Sequence, residues 1–577
     1  MKLTNFIFTS IIVLNCFFGA DAYGFSLNLF KSSYISTTRK YPVKVREYRS
    51  IERYEDENIK ELDSSATEKD QLVNYDINNI YKELKDQEQN QVAPEVYIPP
   101  AYPYYDVKEN VQMQYIHAGI PALEKRLEMI RKAKKRISLE YFIFEKSPSG
   151  KLLLKELAKK AKAGVDVRLL VDMSISIIEI NEALAEHLRH TYGIKIKYYN
   201  RALGPMTAQY RTHRKLFVID GVEAIVGGRN IGDDYFDIDE DYNFLDRDMV
   251  VWGSMAKTVQ DSFDAFWNDT ETVLTARDVY ERNTKRLFRG SRREQQRYAM
   301  LRERQLSSMK KREREWFEDN SDIRGLSEKA AEYGRPLLES YPKYNCPKMS
   351  YISDAPGGKF YHRFFNNFKE NFQYAGYFIE YKMRELAKGE VILSSPYFML
   401  NKRWRSLVED MLKDDSIQLK VFTNSLNSTD AVYVSANFYR IIDKLIDLGM
   451  DTYVFNARFP HITKVPYEEV EKNRWGVHAK TFILNETTMM SGTYNIDNRS
   501  DVLNAEVMLM CEGSKEIVDD LRLNINKRMK NAYHLKGKNK ALNSSGEEAD
   551  IYGDATPGQV KFMKAIKLPS LLFQPLM

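Results

Sequence analysis

A chain of 577 residues with 43% hydrophobic and 29% charged residues has apolar material for two or more domains, which excludes wholesale disorder. Its net charge of +5 is modest for that length and below what a DNA-coating protein usually carries, so charge alone names no partner. Three cysteines make neither a disulfide framework nor a zinc site.

The first residues, MKLTNFIFTSIIVLNCFFGADA, read as a secretory signal. Lys2 supplies the charged start, Phe6 to Ala20 a mostly apolar run, and Ala20-Asp21-Ala22 a small-x-small cleavage site. The run is shorter than the ~20 residues of a typical span, which favours cleavage after Ala22 over an uncleaved anchor. Asn15 argues against lipidation at Cys16. Cleavage leaves Cys346 and Cys511; two cysteines in one secreted chain can pair, but because Cys511 ends an apolar strand-like run they are read as buried free thiols. Residues 23–112 are polar and irregular. They are rich in Glu, Asp, Lys and Asn from Ile51 to Asn90, and in Pro and Tyr from Val92 to Tyr105, and read as a linker. No segment after the first looks transmembrane.

From about Gln114 the pattern becomes an alternation of helices and apolar strands, taken as a first α/β domain over residues 113–274. Leu123, Leu127 and Ile130 mark one helix face. RISLEYFIF is a buried strand, KLLLKELAKKAKAG a helix closed by Gly164, and VDVRLLVD the next strand. NEALAEHLRHTYG is a helix ending at Gly193, followed by strands IKIKYYN, HRKLFVID, EAIVGG and DMVVWG. A helix through Val259, Phe263 and Trp267 closes the series. Residues 275–343 read as a basic helical insertion. Positions 277–315 alone hold fourteen Lys or Arg against six Asp or Glu, a local net charge of +8. Two roles fit it: contact with anionic phospholipid headgroups, or a solvated insertion packed on the body.

Residues 344–535 repeat the order. EVILSSPYF, IQLKVFTN and MDTYVFN alternate with helices WRSLVEDMLKD and NFYRIIDKLIDLG, the latter ending at Gly449. HAKTFILN, TMMSG and AEVMLM then lead to a helix through Ile517, Leu521, Ile525 and Met529. Agreement in type, order and helix-ending glycines reads as a duplication of one α/β sheet domain. Residues 536–577 form a C-terminal tail with the apolar end LPSLLFQPLM.

Within the repeat four polar positions keep register. His213 and His478, Lys215 and Lys480, Asp220 and Asn485, and Asn230 and Asn495 are each 265 residues apart. Residues two apart on a strand face one side, so each His–Lys pair is expected to project together. A pseudo-twofold between the halves then gathers two imidazoles and two ammonium groups around one phosphate. Imidazole is a nucleophile and proton donor near neutral pH, and Lys and Asn suit the charged oxygens of a five-coordinate phosphorus. The lysines supply the positive charge, so the pattern demands no metal and no cofactor. Asp248 and Glu506, at the start of the strand after the glycine turn in each half, are read as the acids that orient the histidines. Asp220, before Gly221, reads as closing a turn.

At these residues the chain resembles the phospholipase D superfamily, whose mark is the duplicated H-x-K motif. It resembles in particular the bacterial cardiolipin synthase C branch, through RTHRKLFVIDGVEAIVGGRNIGDDYF, DRDMVVWG, FDAFWND and HAKTFILNETTMMSGTYNIDNRSDVLNAE. The resemblance covers about Met113 to Cys511. It implies two tandem α/β/α sandwich domains related by a pseudo-twofold, with the active site at their interface. It implies His213 as nucleophile and His478 as acid and then base. Lys215, Lys480, Asn230 and Asn495 bind phosphate oxygens, Asp248 and Glu506 orient the rings, and Asp220 and Asn485 are structural. The chain departs from the family pattern at Asn485, where aspartate is usual, and at Gly228 and Thr493, where serine is common. The expected activity is phosphatidyl transfer at the periplasmic face of a membrane by an exported monomer acting on phospholipid. Three rivals stand beside it: a hydrolytic phospholipase D, a secreted nuclease and a catalytically weakened lipid-binding module. The length, the duplication and the basic insertion favour lipid over nucleic acid.

Overall fold

Several of the described helices begin at a residue whose side chain caps the backbone. The computed structural model describes residues 102–173, 179–199, 210–270, 272–275, 292–357, 373–460 and 464–567, all within one unit of the chain. The expected signal peptide, the 23–112 linker up to residue 101 and the apolar end 568–577 lie outside these residues.

The first half runs β1 (Tyr105–Ile116), α1 (Gly119–Lys132), β2 (Arg136–Tyr141), α2 (Pro148–Lys162), β3 (Asp166–Asp172), α3 (Glu182–Tyr192), β4 (Lys195–Tyr199), β5 (Leu216–Ile219), β6 (Glu223–Gly227), β7 (Asp248–Trp252) and α4 (Ser254–Asn268). After the insertion helix α5 (Arg292–Glu318), the second half runs β8 (Lys343–Ser353), α6 (Ala375–Leu386), β9 (Gly389–Ser394), α7 (Lys402–Leu412), β10 (Ile417–Asn424), α8 (Val432–Asp447), β11 (Asp451–Phe455), β12 (Lys480–Ile483), β13 (Met489–Gly492), β14 (Val507–Glu512) and α9 (Lys515–Met529). Ser147 and Asn181 cap α2 and α3 by accepting from Gly150 N and Leu184 N. Gly193 and Gly449 end α3 and α8 with φ +88° and +103°, a backbone that side-chain-bearing residues resist.

The strands form one sheet whose two halves have the same order. Outward from the centre the first reads β1, β7, β6, β5, β2, β3, β4 and the second β8, β14, β13, β12, β9, β10, β11. In each half the last three strands are parallel and the rest antiparallel. β1 and β8 pair antiparallel from Tyr105↔Ile352 to Gln114↔Lys343, which gives the two halves a pseudo-twofold relation. The duplication therefore joins at its own first strands, and a core cluster runs through the seam. Met113, Val226 and Val251 of the first half and Met489, Val507 and Leu509 of the second belong to it.

Four expectations need correction. The linker does not extend to 112, because β1 starts at Tyr105. Cys346 and Cys511 are bonded to each other, with Cα atoms 5.9 Å apart. The reading as free thiols lacked β8, the strand that carries Cys346 beside β14. His213, Lys215 and His478 precede strands β5 and β12 rather than lying in them. The tail is not a bare extension: Tyr533–Gly537 pairs with β11, and helix Pro557–Ile566 packs on α8. Among the described residues no helix is long and apolar enough to cross a membrane.

Candidate active site

Two short parallel strand pairs cross from one half to the other. Arg211–Thr212 pairs with Asn504–Ala505, and Arg474–Val477 pairs with Tyr242–Leu245. The residue after each strand is a site residue. His213 N donates to Ala505 O at 2.9 Å, and His478 N donates to Leu245 O at 2.9 Å. Backbone pairing thus sets each histidine beside an acid of the opposite half. His213 Nδ1 lies 3.0 Å from Glu506 Oε2, and His478 Nδ1 lies 2.5 Å from Asp246 Oδ2.

These contacts fix the tautomers. His213 Nδ1 faces the Glu506 carboxylate and the Thr493 carbonyl oxygen at 3.1 Å, both acceptors, so Nδ1 carries the proton. Asp246 does the same for His478. In the neutral rings each Nε2 then carries a lone pair, which at His478 lies 3.1 Å from Lys480 Nζ. Phe142 packs 5.3 Å from the His213 ring, and Tyr235 and Phe244 pack 5.2 and 4.8 Å from the His478 ring.

The electrostatics are those of a site built for an anion. Lys215 Nζ donates to His213 O at 2.7 Å, and Lys480 Nζ donates to His478 O at 2.5 Å, so each lysine folds back on its own motif. All four residues are buried, the least so at 7% exposure. Burial pushes His213 down to about 4, with Lys215 and Lys480 adding to it against the pull of Glu506. Burial and Lys480 push His478 down to about 3, although Asp246 pulls it up. Burial and the Lys480 charge hold Lys215 well below its ordinary value, and burial takes Lys480 to about 8. For Asp246 and Glu506 burial acts upwards, but the histidines and lysines outweigh it and hold both carboxyls down. Each histidine and lysine feels charges from the other half, which places both motifs in one cluster. A phosphate monoanion entering here relieves the repulsion between the lysines and favours a protonated histidine.

Asp248 does not orient a histidine. Its carboxylate meets Arg126 at 2.9 Å and Arg229 at 3.2 Å, wholly buried. Glu506 orients a ring, but that ring is His213 of the other half rather than its neighbour in sequence, His478. Asp246 is the acid the sequence reading missed. The sheet register explains why: Gly227 pairs with Asp248 and its counterpart Gly492 with Met508, so Asp246 is the equivalent of Glu506. The offset has dropped from 265 to 260 because the loop after Asn495 is shorter than the loop after Asn230. Gly253 and Gly513, which precede α4 and α9 and are also 260 apart, carried that signal.

The supports of the two acids differ. Glu506 accepts from Thr493 Oγ1 and Ser500 Oγ, both at 2.6 Å, and from Asn504 Nδ2 at 3.2 Å. Asp246 Oδ1 accepts from Arg247 N at 2.7 Å. A Cβ on Gly228 would collide with Asp246 Oδ1, whereas the matching Thr493 is a hydrogen-bond donor to Glu506. Two of the three departures from the family pattern, Gly228 and Thr493, thus each fit the acid they face.

Asn230 donates to the Tyr235 hydroxyl at 2.8 Å and accepts from Ile143 N at 3.2 Å. Asn495 is 3% exposed, and its Oδ1 has no hydrogen-bond partner among the described residues. Asp220 and Asn485 lie away from the histidines. Asp220 accepts from Lys134 N, Lys135 N and Arg136 N at 2.7 to 2.8 Å. Asn485 donates to Leu386 O at 2.9 Å and accepts from Thr487 N at 2.9 Å. Both brace turns. An asparagine suits the second because that turn presents a carbonyl where the first presents only N–H groups.

The arrangement can attack phosphorus with one Nε2, protonate a departing oxygen from the other, and hold negative charge with two ammonium groups. Comparison with known proteins agrees with the duplication. The family described as cardiolipin synthase, PLD-like domain matches residues 127–267 and 383–529. An uncharacterized protein of Helicobacter pylori is 28% identical over 72% of this chain and 79% of its own length. Cardiolipin synthase C of Escherichia coli is 24% identical over 69% of this chain and 80% of its own. Among solved structures, phosphatidylserine synthase of Haemophilus influenzae overlays 82% of this chain and 97% of its own with a TM-score of 0.54 at 14% identity, a likeness of fold.

Proposed function

The chain belongs to the phospholipase D superfamily, and from that premise we propose that it is a phosphatidyltransferase of the cardiolipin synthase type. The observation that carries the reading is the crossed pairing of His213 with Glu506 and His478 with Asp246 around two buried lysines.

The first step is displacement at phosphorus. His213 Nε2 attacks as the bond from phosphorus to the departing alcohol oxygen breaks, and His478, protonated on Nε2 once the phosphate anion is bound, gives that oxygen its proton. The phosphatidyl group is then held on His213 as a phosphohistidine. The acceptor alcohol loses its proton to His478 and attacks phosphorus, the P–N bond breaks, and both histidines return to their starting state. Lys215 and Lys480 balance the charge on the phosphoryl oxygens, and the amide nitrogens of Asn230 and Asn495 donate to them. Glu506 and Asp246 stabilise the charged rings without taking the proton. Both half-sites come from one chain, so a monomer suffices.

The donor is a glycerophospholipid and the acceptor the free hydroxyl of a second one. We place the protein outside the cytoplasm, after cleavage at Ala22, and against a membrane; a buried Cys346–Cys511 bond supports an oxidising compartment. The test is incubation of the purified protein with phosphatidylglycerol and phosphatidylethanolamine, with products analysed by mass spectrometry. Cardiolipin is the expected product. Phosphatidic acid alone reassigns the chain to hydrolysis. Cleavage of single-stranded DNA without lipid turnover overturns the lipid reading, and the absence of any turnover leaves a binding module.

A further inference from the structure

Among the described residues, the side-chain contacts that anchor the insertion helix α5 lie at one end. Its 27 residues span about 40 Å at helical rise. Glu313, 2% exposed, meets Lys146 Nζ at 2.5 Å and accepts from Asn181 Nδ2 at 2.7 Å. Trp316 lies under the Lys146 and Lys151 ammonium groups, and the buried Phe317 packs on His187 and Tyr192. All these anchors fall in the last two turns.

The anchors also give direction. Glu313 sits at the cap of α3, and Phe317 sits at His187 and Tyr192 further along α3, so the helices run parallel. The stretch 292–312 therefore continues past the start of α3, for about 30 Å at helical rise. That start lies at the edge of the sheet where the site is. Phe142, packed on His213, and Lys146, which holds Glu313, belong to the single loop that follows β2. Asp172, at the end of β3, accepts from Thr212 N beside His213. The arm thus leaves the body from the edge on which the site is built.

Its charge is one-sided. Arg297, Arg304, Lys310, Lys311, Arg312 and Arg314 are exposed, and Met300 is 64% exposed among them. Over the whole helix nine Lys or Arg face five Glu, one of which is the anchored Glu313. A solvated helix of a soluble enzyme gains nothing from such an excess on a projecting arm, whereas a surface of lipid phosphates attracts each cation separately.

We propose that α5 is a docking arm for an anionic bilayer, holding the edge that carries the histidines against the lipid surface. The inference rests on the lipid reading above. It is tested by sedimenting the full-length protein with vesicles of phosphatidylcholine and phosphatidylglycerol, beside the variant Arg297→Gln, Arg304→Gln, Lys310→Gln, Lys311→Gln, Arg312→Gln. Turnover of a short-chain phospholipid dissolved below its micelle concentration is measured in parallel. The variant should bind vesicles at least about tenfold more weakly, and binding by the unchanged protein should fall as salt rises. Its turnover of dissolved lipid should stay unchanged, which also reports that it is folded. Exchanging the same five positions between Arg and Lys should preserve binding. Equal vesicle binding by the Gln variant and the unchanged protein overturns the arm while leaving the enzyme reading intact. Binding of single-stranded DNA in place of vesicles overturns it too. Loss of all lipid turnover in the unchanged protein, with vesicle binding kept, counts against the enzyme reading instead.

Discussion

Replacing Asp246 by Asn separates the acid that serves catalysis from the acid that serves the fold. Asp246 lies 2.5 Å from His478 Nδ1 and is the opposite charge that offsets burial and Lys480 at that ring. An amide keeps the shape and removes the charge, so His478 becomes a poorer acid–base group. Such help is worth about 10²–10⁴-fold, so kcat for an ordinary phospholipid should fall by that factor with little change in KM. The loss should shrink with a nitrophenyl ester of phosphatidic acid, whose departing oxygen needs no proton. Asp248→Asn should behave in the opposite way. It leaves Arg126 and Arg229 without their carboxylate in the interior, a loss of about 3–5 kcal/mol in stability, and kcat per folded molecule stays near that of the unchanged protein. The assay is turnover of both substrates together with thermal unfolding of both variants. A stable Asp248→Asn protein that has lost leaving-group-dependent activity, beside a fully active Asp246→Asn protein, refutes the crossed assignment.

Acid should destabilise the protein through its histidines. His213 and His478 are held near 4 and 3 against about 6.5 unfolded, so the unfolded chain takes protons first and stability declines as pH falls from 6.5 towards 4. Between pH 7 and pH 5 this amounts to about 2 kcal/mol per histidine, and denaturant titration of the His213→Asn, His478→Asn double variant should show a flatter profile; an unchanged slope contradicts it. Asn485→Asp, which restores the residue usual in the family, should cost about 1–3 kcal/mol by setting a carboxylate against Leu386 O, with kcat preserved. A stabilising effect would show that the brace is misread. Thiol titration of the denatured, unreduced mature chain should find no free thiol, and reduction should lower the melting temperature; two free thiols would contradict the Cys346–Cys511 bond.

Much of the fold is legible because the parallel strands are buried on both faces and the helices carry their own stops. VDVRLLVD and IQLKVFTN announce themselves as apolar runs, and Gly193 and Gly449 close the helices after them. β1 and β8 are not legible. YDVKENVQMQYI and KYNCPKMSYIS are polar on one face, and the second holds Pro347, so their pairing with each other supplies what local pattern does not. The disulfide went unread with β8. Within the site, the two His–Lys pairs, Asn230, Asn495 and Glu506 stand out by their fixed spacing or their place before an apolar strand. Asp246 was lost to a shorter loop in the second half. The pairing of each ring with the other half's acid was invisible because strands of two to four residues create it. A periodicity argument has nothing to read in a strand that short.

The most direct test is to trap the phosphoenzyme. The His478→Asn protein is mixed with phosphatidyl nitrophenol labelled at phosphorus, quenched, and mapped for labelled peptides, beside the His213→Asn protein. With a nucleophile but no base to deliver the acceptor, His478→Asn should accumulate acid-labile label on His213, and His213→Asn should accumulate none. Label retained in His213→Asn and absent from His478→Asn would reverse the two roles, and turnover of the unchanged protein with no trapped label in either variant would contradict the phosphohistidine itself.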